Sequence, residues 1–178
     1  MFDKVEKMNY LARKLQKAVQ NEDWEGVASL IELNPDIMEE SLKLVYPILP
    51  PLYRFYIPTN CYTHNGDRMP AVRKYVRQAR KYAPISERVP YEMAILPEVQ
   101  VYRAGTEFID KAKYSISWTT SLDVAKWFYD RSEDLHWPKR HLYRGVIDPE
   151  KVICFTDDRH EQEVMQYNAV RNIVEIER

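Results

Sequence analysis

The sequence has few cysteines and no long apolar run, and each shortage excludes a class of protein. Its two cysteines, Cys61 and Cys154, are too few for the disulfide framework typical of small extracellular proteins. The longest apolar stretches, such as residues 44–52 (LVYPILPPL), are short and interrupted by proline, so we expect no membrane-spanning helix. Residues 1–10 carry mixed charge without an apolar run, so we also expect no signal peptide. These features favour a protein of the reducing cytoplasm.

Metal-site spacings are missing as well. The histidines show no metal-ligand spacing with the cysteines, and neither cysteine lies in a motif that marks a nucleophile. We therefore expect no bound metal. The histidines concerned are His64, His136, His141 and His160.

The composition is that of an ordinary globular protein. Of 178 residues, 45% are hydrophobic and 30% charged, which suits one catalytic core with a helical extension. The net charge of −1 hides an uneven distribution, because residues 68–81, from Arg68 to Lys81, include six basic residues whereas residues 22–40 are acidic.

Helical periodicity dominates the first half of the chain. Apolar positions recur at helical spacing in residues 3–20 and 24–33, and a third helix is expected from residue 34 to about residue 46. Residues 47–66 contain four prolines without clear periodicity and are predicted to form an extended connector. Residues 71–83 have an apolar face opposite a basic one, which predicts a basic amphipathic helix.

Strand patterns dominate after Pro97. A helix is predicted at residues 122–131, between the second and third of the strands. Helices followed by strands predict an α+β fold, with a helical section at residues 1–96 and a strand-rich core at residues 97–178. The predicted strands lie at residues 99–104, 114–119, 141–147, 151–155, 163–167 and 173–177.

Three short motifs in this second half carry candidate chemistry. They are VYRAG at residues 101–105, SISWTTSLDVAKWF at residues 115–128 and RHEQEV at residues 159–164. Each motif alone is ordinary strand sequence, and the functional interpretation depends on finding all three in this order. Together they resemble the Arg-Ser-Glu class of mono-ADP-ribosyltransferases, over roughly residues 97–178.

In that family an aromatic-Arg pair ends the first core strand, a Ser-x-Ser/Thr motif ends the next, and a Glu-x-Glu or Gln-x-Glu motif begins a later one. The resemblance implies a core of two packed, mostly antiparallel sheets that binds NAD⁺ and transfers its ADP-ribose. It also implies a bacterial or phage effector or toxin, acting in the cytoplasm of the producing cell or of a target cell. The candidate NAD⁺-binding residues are Tyr102, Arg103, Ala104, Ser117, Trp118 and Thr119.

The chemistry of these side chains suits the assignment. A planar guanidinium at Arg103 can bind a pyrophosphate through paired hydrogen bonds. Cleavage of the nicotinamide glycosidic bond develops positive charge on the ribose, and a fixed carboxylate at Glu163 would stabilise it. Ser117 is expected to hold that glutamate, and Thr119 to contact the ribose. Trp118 replaces the small central residue of the usual Ser-Thr-Ser, and an alternative alignment would use residues 119–121 instead.

Two glutamates are expected to have separate roles, one toward NAD⁺ and the other toward the acceptor. Glu161 and Glu163 are two residues apart, so in an extended strand both carboxylates would face one cleft. By resemblance, Glu161 orients or deprotonates the acceptor, and a glutamate at this position is typical of enzymes that modify arginine. The acceptor is therefore a protein, with arginine favoured, or a nucleic acid.

Several alternatives stay open. The same site would also serve an NAD⁺ glycohydrolase, in which water replaces the acceptor. A non-catalytic nucleic-acid-binding protein is the third possibility, with Arg68 to Lys81 contacting phosphates and Tyr75 and Tyr82 offering stacking faces. The helices of residues 3–46 have three open roles: contacting NAD⁺, covering the cleft, or binding an antitoxin-like partner.

Overall fold

The computed structural model describes residues 4–65, 72–134 and 138–178. Two compact units divide the chain, one spanning Met1–Ala83 and the other Pro84–Arg178. Over the described residues, no helix combines the length and the apolar character needed to cross a membrane.

The first unit is helical. Its helices are α1 (Lys4–Gln20), α2 (Trp24–Glu32), α3 (Met38–Val45), α4 (Pro51–Asn65) and α5 (Arg73–Ala79), and short 3₁₀ turns flank α3 and follow α5. The Asp23 carboxylate caps α2 by accepting a hydrogen bond from the Gly26 amide at 2.9 Å. Their apolar stripes form a core that includes Leu11, Leu15, Val27, Ile31, Leu42, Phe55, Ile57, Tyr62 and Val76.

Helix α4 lies where the sequence predicted an extended connector, and that prediction was wrong. Pro51 occupies the first helical position, where its missing amide proton costs nothing, and Pro58 is tolerated inside the helix. Phe55, Ile57 and Tyr62 are at most 1% exposed, so their burial outweighs the unfavourable proline.

The predicted basic helix is present in shortened form. Helix α5 begins at Arg73, and a 3₁₀ turn at Arg80–Tyr82 follows it. Tyr75, Val76 and Ala79 are buried while Lys74 and Arg77 are exposed, as the amphipathic pattern requires. Arg68 lies outside the described residues.

The second unit contains a six-stranded sheet. Helices α6 (Ile85–Arg88) and α7 (Tyr91–Ala94) precede the strands, and two further helices lie between the first three. In chain order these are β1 (Val99–Gly105), α8 (Ile109–Ala112), β2 (Ser117–Thr119), α9 (Leu122–Asp134), β3 (His141–Ile147), β4 (Val152–Thr156), β5 (Glu163–Gln166) and β6 (Arg171–Glu175).

Each neighbouring pair of strands is antiparallel, and the sheet order is β4-β5-β2-β1-β3-β6. The predicted α+β class is confirmed. The sequence analysis expected two packed sheets, whereas the strands form one hydrogen-bonded sheet because β1 pairs with both β2 and β3. Strand periodicity fixes which side chains share a face, and it does not fix which edges pair.

The core of this unit lies between the sheet and the two short helices before it. Val89 and Met93, next to or within those helices, pack in the same buried cluster as the strand residues, which is why the compact unit begins at Pro84 and not at Pro97. The other members of the cluster are Val99, Val101, Ala112, Trp118, Tyr143, Ile147, Val152, Val164 and Val170.

Candidate active site

The three sequence motifs lie on three neighbouring strands. Strand β2 pairs with β1 on one side and with β5 on the other. Thr119 is opposite Tyr102 of β1 and opposite Glu163 of β5, so the three strands meet at one level of the sheet. Residues opposite each other in an antiparallel pair point to the same face. The Glu163 carboxylate therefore leaves the sheet on the same side as the Thr119 hydroxyl.

Arg103 bridges β1 and β2 with its side chain. Arg103 follows Tyr102, the residue that pairs with Thr119. Its guanidinium donates from Nη1 to the main-chain oxygen of Ser117 at 2.8 Å. Its Nη2 lies 3.4 Å from Oε1 of Glu107, and the Arg103 side chain is 12% exposed. The guanidinium is thus held in a fixed orientation between the two strands, and Ser117 contributes its carbonyl to that arrangement.

Glu163 is a buried acid. The residue is 6% exposed at the first position of β5. Burial raises the pKa of the neighbouring Cys154 thiol to about 12, and the negative charge of Glu163 adds to that effect. Burial of a carboxylate is costly, which makes Glu163 a candidate for a functional residue.

Thr119 supports the loop before β5. Its hydroxyl donates to the main-chain oxygen of Glu161 at 2.7 Å and accepts from the Ser121 amide at 3.0 Å. In this arrangement Thr119 holds Glu161 in place, a role that the sequence did not predict.

Glu161 does not lie in an extended segment. Gln162 and His160, on either side of it, have φ values of 44° and 57°, in the left-handed region that side chains other than glycine rarely adopt. Strand alternation therefore does not determine where the Glu161 carboxylate points, contrary to the premise of the sequence analysis. Its Oε2 accepts a hydrogen bond from Arg159 at 2.6 Å, and the side chain is 22% exposed.

Hydrogen bonds hold this strained turn in place. The Gln162 amide donates to Oδ1 of Asp157 at 3.0 Å, and the Gln162 main-chain oxygen accepts from the Thr120 amide at 3.1 Å. Left-handed residues of this kind cost on the order of 1–3 kcal/mol each and cluster at functional sites. The turn thus holds the main chain of Glu161 two residues before β5 at the expense of backbone strain.

The remaining candidates divide between the site and the core. Trp118 is 2% exposed and belongs to the buried cluster, and its indole donates to the Ser115 carbonyl at 3.0 Å. Alternation places Trp118 on the opposite face of β2 from Thr119. Tyr102 and Ala104 are half-buried, and Tyr102 shares the face of Thr119.

Sequence reasoning missed two charged residues near Arg103. They are Glu107, in the turn after β1, and Arg140, directly before β3. Burial lowers the pKa of Arg140, and the positive charges of Arg103 and Arg131 lower it further, while Glu107 acts in the opposite direction. Neither residue lies in a motif, so nothing in the sequence marked them.

The tyrosines of the basic segment contact other side chains of the helical unit. Tyr75 is 7% exposed, and its ring centroid lies 4.6 Å from that of Tyr46. The Tyr82 ring lies against Tyr46 at 6.4 Å, and the Arg54 guanidinium lies over it at 5.4 Å. Tyr75 therefore offers no stacking face, whereas Tyr82 is half-buried. The exposed basic residues of the segment are Lys74, Arg77 and Lys81.

Chemically, the site combines an oriented guanidinium, a buried carboxylate and a second carboxylate on a strained turn. This combination can bind an anionic group and, on the other face of the sheet, stabilise positive charge that develops near Glu163. No protein-family model, curated protein or solved structure matches the chain.

Proposed function

We propose that this protein is an NAD⁺-dependent mono-ADP-ribosyltransferase with its working site at Arg103, Ser117 and Glu163. The observation that carries the proposal is the alignment of three motifs on β1, β2 and β5, with the buried Glu163 opposite Thr119. The α+β unit with its antiparallel sheet supports an ADP-ribosyltransferase-like core. Because alternation places Arg103 and Glu163 on opposite faces of the sheet, a bound NAD⁺ would have to reach from one face to the other.

Arg103 would bind the pyrophosphate of NAD⁺. Its guanidinium is oriented by the Ser117 carbonyl before any ligand arrives, so little side-chain entropy is lost on binding. A guanidinium offers paired donors to phosphate oxygens, which the point charge of a lysine does not. Ser117 acts here as a positioning residue.

Glu163 would stabilise the ribose as the glycosidic bond breaks. Nicotinamide leaves with the bonding electron pair, and C1′ of the ribose becomes positively charged. A carboxylate that is 6% exposed acts through a low local dielectric, where its attraction for that charge is strong.

Glu161 would serve the acceptor. The nucleophile forms the new bond to C1′, and its proton passes to the Glu161 carboxylate. Glu161 binds the Arg159 guanidinium at 2.6 Å, which indicates that this carboxylate can also bind the guanidinium of an acceptor arginine. A protein arginine is therefore the favoured acceptor, with a nucleic acid as the other class.

The test uses four proteins: wild type, Glu163→Gln, Glu161→Gln and the control Glu177→Gln at an exposed position. Each is incubated with adenylate-labelled NAD⁺ in a cell extract, followed by protease or RNase. We expect label on macromolecules with wild type and Glu177→Gln, and a loss of about 10²–10³-fold with Glu163→Gln, the scale seen when one transition-state contact is removed. Protease or RNase sensitivity of the label identifies the acceptor class.

Glu161→Gln separates transfer from hydrolysis. A transferase loses acceptor labelling but keeps part of its NAD⁺ cleavage, whereas an NAD⁺ glycohydrolase keeps its full rate. If none of the four proteins consumes NAD⁺ or labels a macromolecule, the proposal is wrong. Salt-sensitive binding of nucleic acid without NAD⁺ turnover would then favour the alternative of a non-catalytic nucleic-acid-binding protein.

A further inference from the structure

A small pocket opens in the sheet unit, where β3 and β5 end and β6 begins. The residues that line it include Asp148, Lys151, Gln166, Asn168 and Arg171. Its volume is about 200 Å³. Pockets for drug-sized ligands measure roughly 300–1,000 Å³, so this pocket suits a single small molecule.

The pocket is separate from the candidate active site. Gln166 is the last residue of β5 and Glu163 the first, so they lie about 10 Å apart along the strand at roughly 3.3 Å per residue. Ile147, which also lines the pocket, is four residues beyond Tyr143, the residue opposite Arg103. A ligand in this pocket would therefore occupy a second site.

Hydrogen bonds fix the wall of the pocket before any ligand binds. Gln166 is 1% exposed, and its Nε2 donates to the main-chain oxygen of Ser115 at 2.7 Å. Its Oε1 accepts from the Asn168 amide at 2.7 Å, which holds the segment between β5 and β6. A preformed pocket loses little conformational entropy when a small ligand enters.

Two positively charged side chains face the pocket with little neutralisation. The Lys151 ammonium lies over the Tyr167 ring, 5.9 Å from its centroid, and forms no ion pair with any residue that the structure describes. Nη2 of Arg171 lies 3.6 Å from Oε2 of Glu98, which is longer than a charge-assisted hydrogen bond normally is. Both cations can therefore bind an anionic group of a ligand.

Asp148 brings a hydrogen-bond acceptor to the same pocket. Its Oδ1 accepts from the Glu150 amide at 2.9 Å, and its main-chain oxygen accepts from the Lys151 amide at 2.8 Å, so the turn is rigid. Its Oδ2 is not used in any hydrogen bond within the described ranges. A carboxylate in this position repels a bare anion but accepts hydrogen bonds from hydroxyl groups. The pocket thus suits an anion that also carries hydroxyl groups.

We propose that this pocket binds a small sugar phosphate. Lys151 and Arg171 bind the phosphate, whose two negative charges attract both cations more strongly than the single charge of a carboxylate does. Asp148 and Asn168 bind hydroxyl groups of the sugar. The inference does not rest on the proposed transferase activity, and its test needs no NAD⁺.

Calorimetric titration of the full chain with ribose 5-phosphate, inorganic phosphate and ribose tests the proposal. We expect ribose 5-phosphate to bind about tenfold more tightly than either of the other two ligands, because it engages both halves of the pocket. Lys151→Gln and Arg171→Gln should each weaken its binding about tenfold. The matched control is Lys139→Gln, which removes a positive charge at an exposed position outside the pocket and should bind like wild type.

Asp148→Asn tests the hydroxyl half of the pocket. Asparagine keeps an oxygen that can cap the turn, but it removes the negative charge. Inorganic phosphate should then bind more tightly because the repulsion is lost, and the preference for ribose 5-phosphate over inorganic phosphate should fall.

Four results would overturn the proposal. They are wild-type affinity of Lys151→Gln for ribose 5-phosphate, equal affinity of the wild type for ribose 5-phosphate and inorganic phosphate, an unchanged preference in Asp148→Asn, and no binding of ribose 5-phosphate by the folded wild type. Glycine carries a carboxylate for Lys151 and an ammonium group for Asp148. Tighter binding of glycine than of ribose 5-phosphate would also overturn the proposal and assign the pocket to an amino acid.

Discussion

Trp118 and the next residue, Thr119, lie on opposite faces of β2. The Trp118 side chain is 2% exposed within the core cluster, whereas Thr119 points to the face that carries Glu163. The family resemblance places Trp118 among the residues that contact NAD⁺. Its burial favours a different role, in which the indole fills the core and holds the Ser115 carbonyl at 3.0 Å.

Replacement of Trp118 by phenylalanine separates these roles. Trp118→Phe removes one of the two donors to the Ser115 carbonyl, the other being the Gln166 side-chain amide, and it reduces the volume of a buried side chain, so we expect the free energy of unfolding to fall by about 1–3 kcal/mol. Urea denaturation measures the change. Trp127→Phe is the matched control, because Trp127 is 52% exposed and its replacement should change the free energy of unfolding by less than about 0.5 kcal/mol. Unchanged stability of Trp118→Phe together with weaker NAD⁺ binding would instead favour contact with the ligand.

Single residues show what the sequence could and could not predict about the site. Arg103, Ser117 and Glu163 were predicted as site residues because each lies in a short motif and the motifs occur in a recognisable order. Glu107 and Arg140 were missed because their relation to Arg103 depends on a turn and on the start of β3. Two left-handed residues around Glu161 were also unpredictable, since neither is a glycine and hydrogen bonds from elsewhere in the fold hold them.

Elements were predicted well where periodicity is the signal. The strand at 141–147 was predicted with the bounds that it has, and Tyr143, Gly145 and Ile147 are buried at every second position. Helix α4 was missed because the four prolines of residues 47–66 and the tyrosines of the helix obscure the apolar stripe that packs against its neighbours. The single sheet was missed because strand pairing depends on contacts between segments far apart in the chain.

The edge of the sheet at β3 and β6 depends on one glycine. The register between the two strands shifts between Arg144 and Val146, at Gly145. A Cβ atom at Gly145 would lie 2.4 Å from Cγ1 of Val170 and 3.1 Å from the main-chain oxygen of Arg171. The second contact is with backbone, so a side-chain rotation cannot relieve it, and β6 lies close to β3 only because residue 145 has no side chain.

Gly145→Ala should therefore push β6 away from the sheet. We expect the free energy of unfolding to fall by about 1–3 kcal/mol, the usual cost of overpacking, and amide exchange in β6 to become faster. Urea denaturation and hydrogen exchange measure the two effects. Asn172→Gly is the control within the same strand, because Asn172 has a φ of 50° that glycine adopts without strain. If the amides of β6 exchange at the wild-type rate in Gly145→Ala, the strand does not depend on the close approach of β6 to residue 145.

At the scale of the whole molecule, each compact unit contains one cysteine whose thiol has a raised pKa. Cys61 is buried in the helical unit, Cys154 is half-buried in the sheet unit, and neither forms a disulfide. Burial raises the pKa of each thiol from its usual 9.0 to about 12, with a smaller contribution from Glu32 at Cys61 and from Glu163 at Cys154. Both units therefore keep their thiols protonated at a pH at which the unfolded chain has begun to lose those protons.

This difference predicts that the protein loses stability at alkaline pH. Between pH 9 and pH 12 the unfolded chain binds fewer protons at these cysteines than the folded protein does, so the free energy of unfolding falls as the pH rises through that window. At pH 10 the loss is about 1 kcal/mol for each thiol. Urea denaturation at pH 8 and pH 10 measures it, with Cys61→Ala as the matched variant. Because alanine does not titrate, the decrease between the two pH values should be smaller in Cys61→Ala by about 1 kcal/mol, while an equal decrease in both proteins would mean that the Cys61 thiol ionises in the folded state as readily as in the unfolded chain.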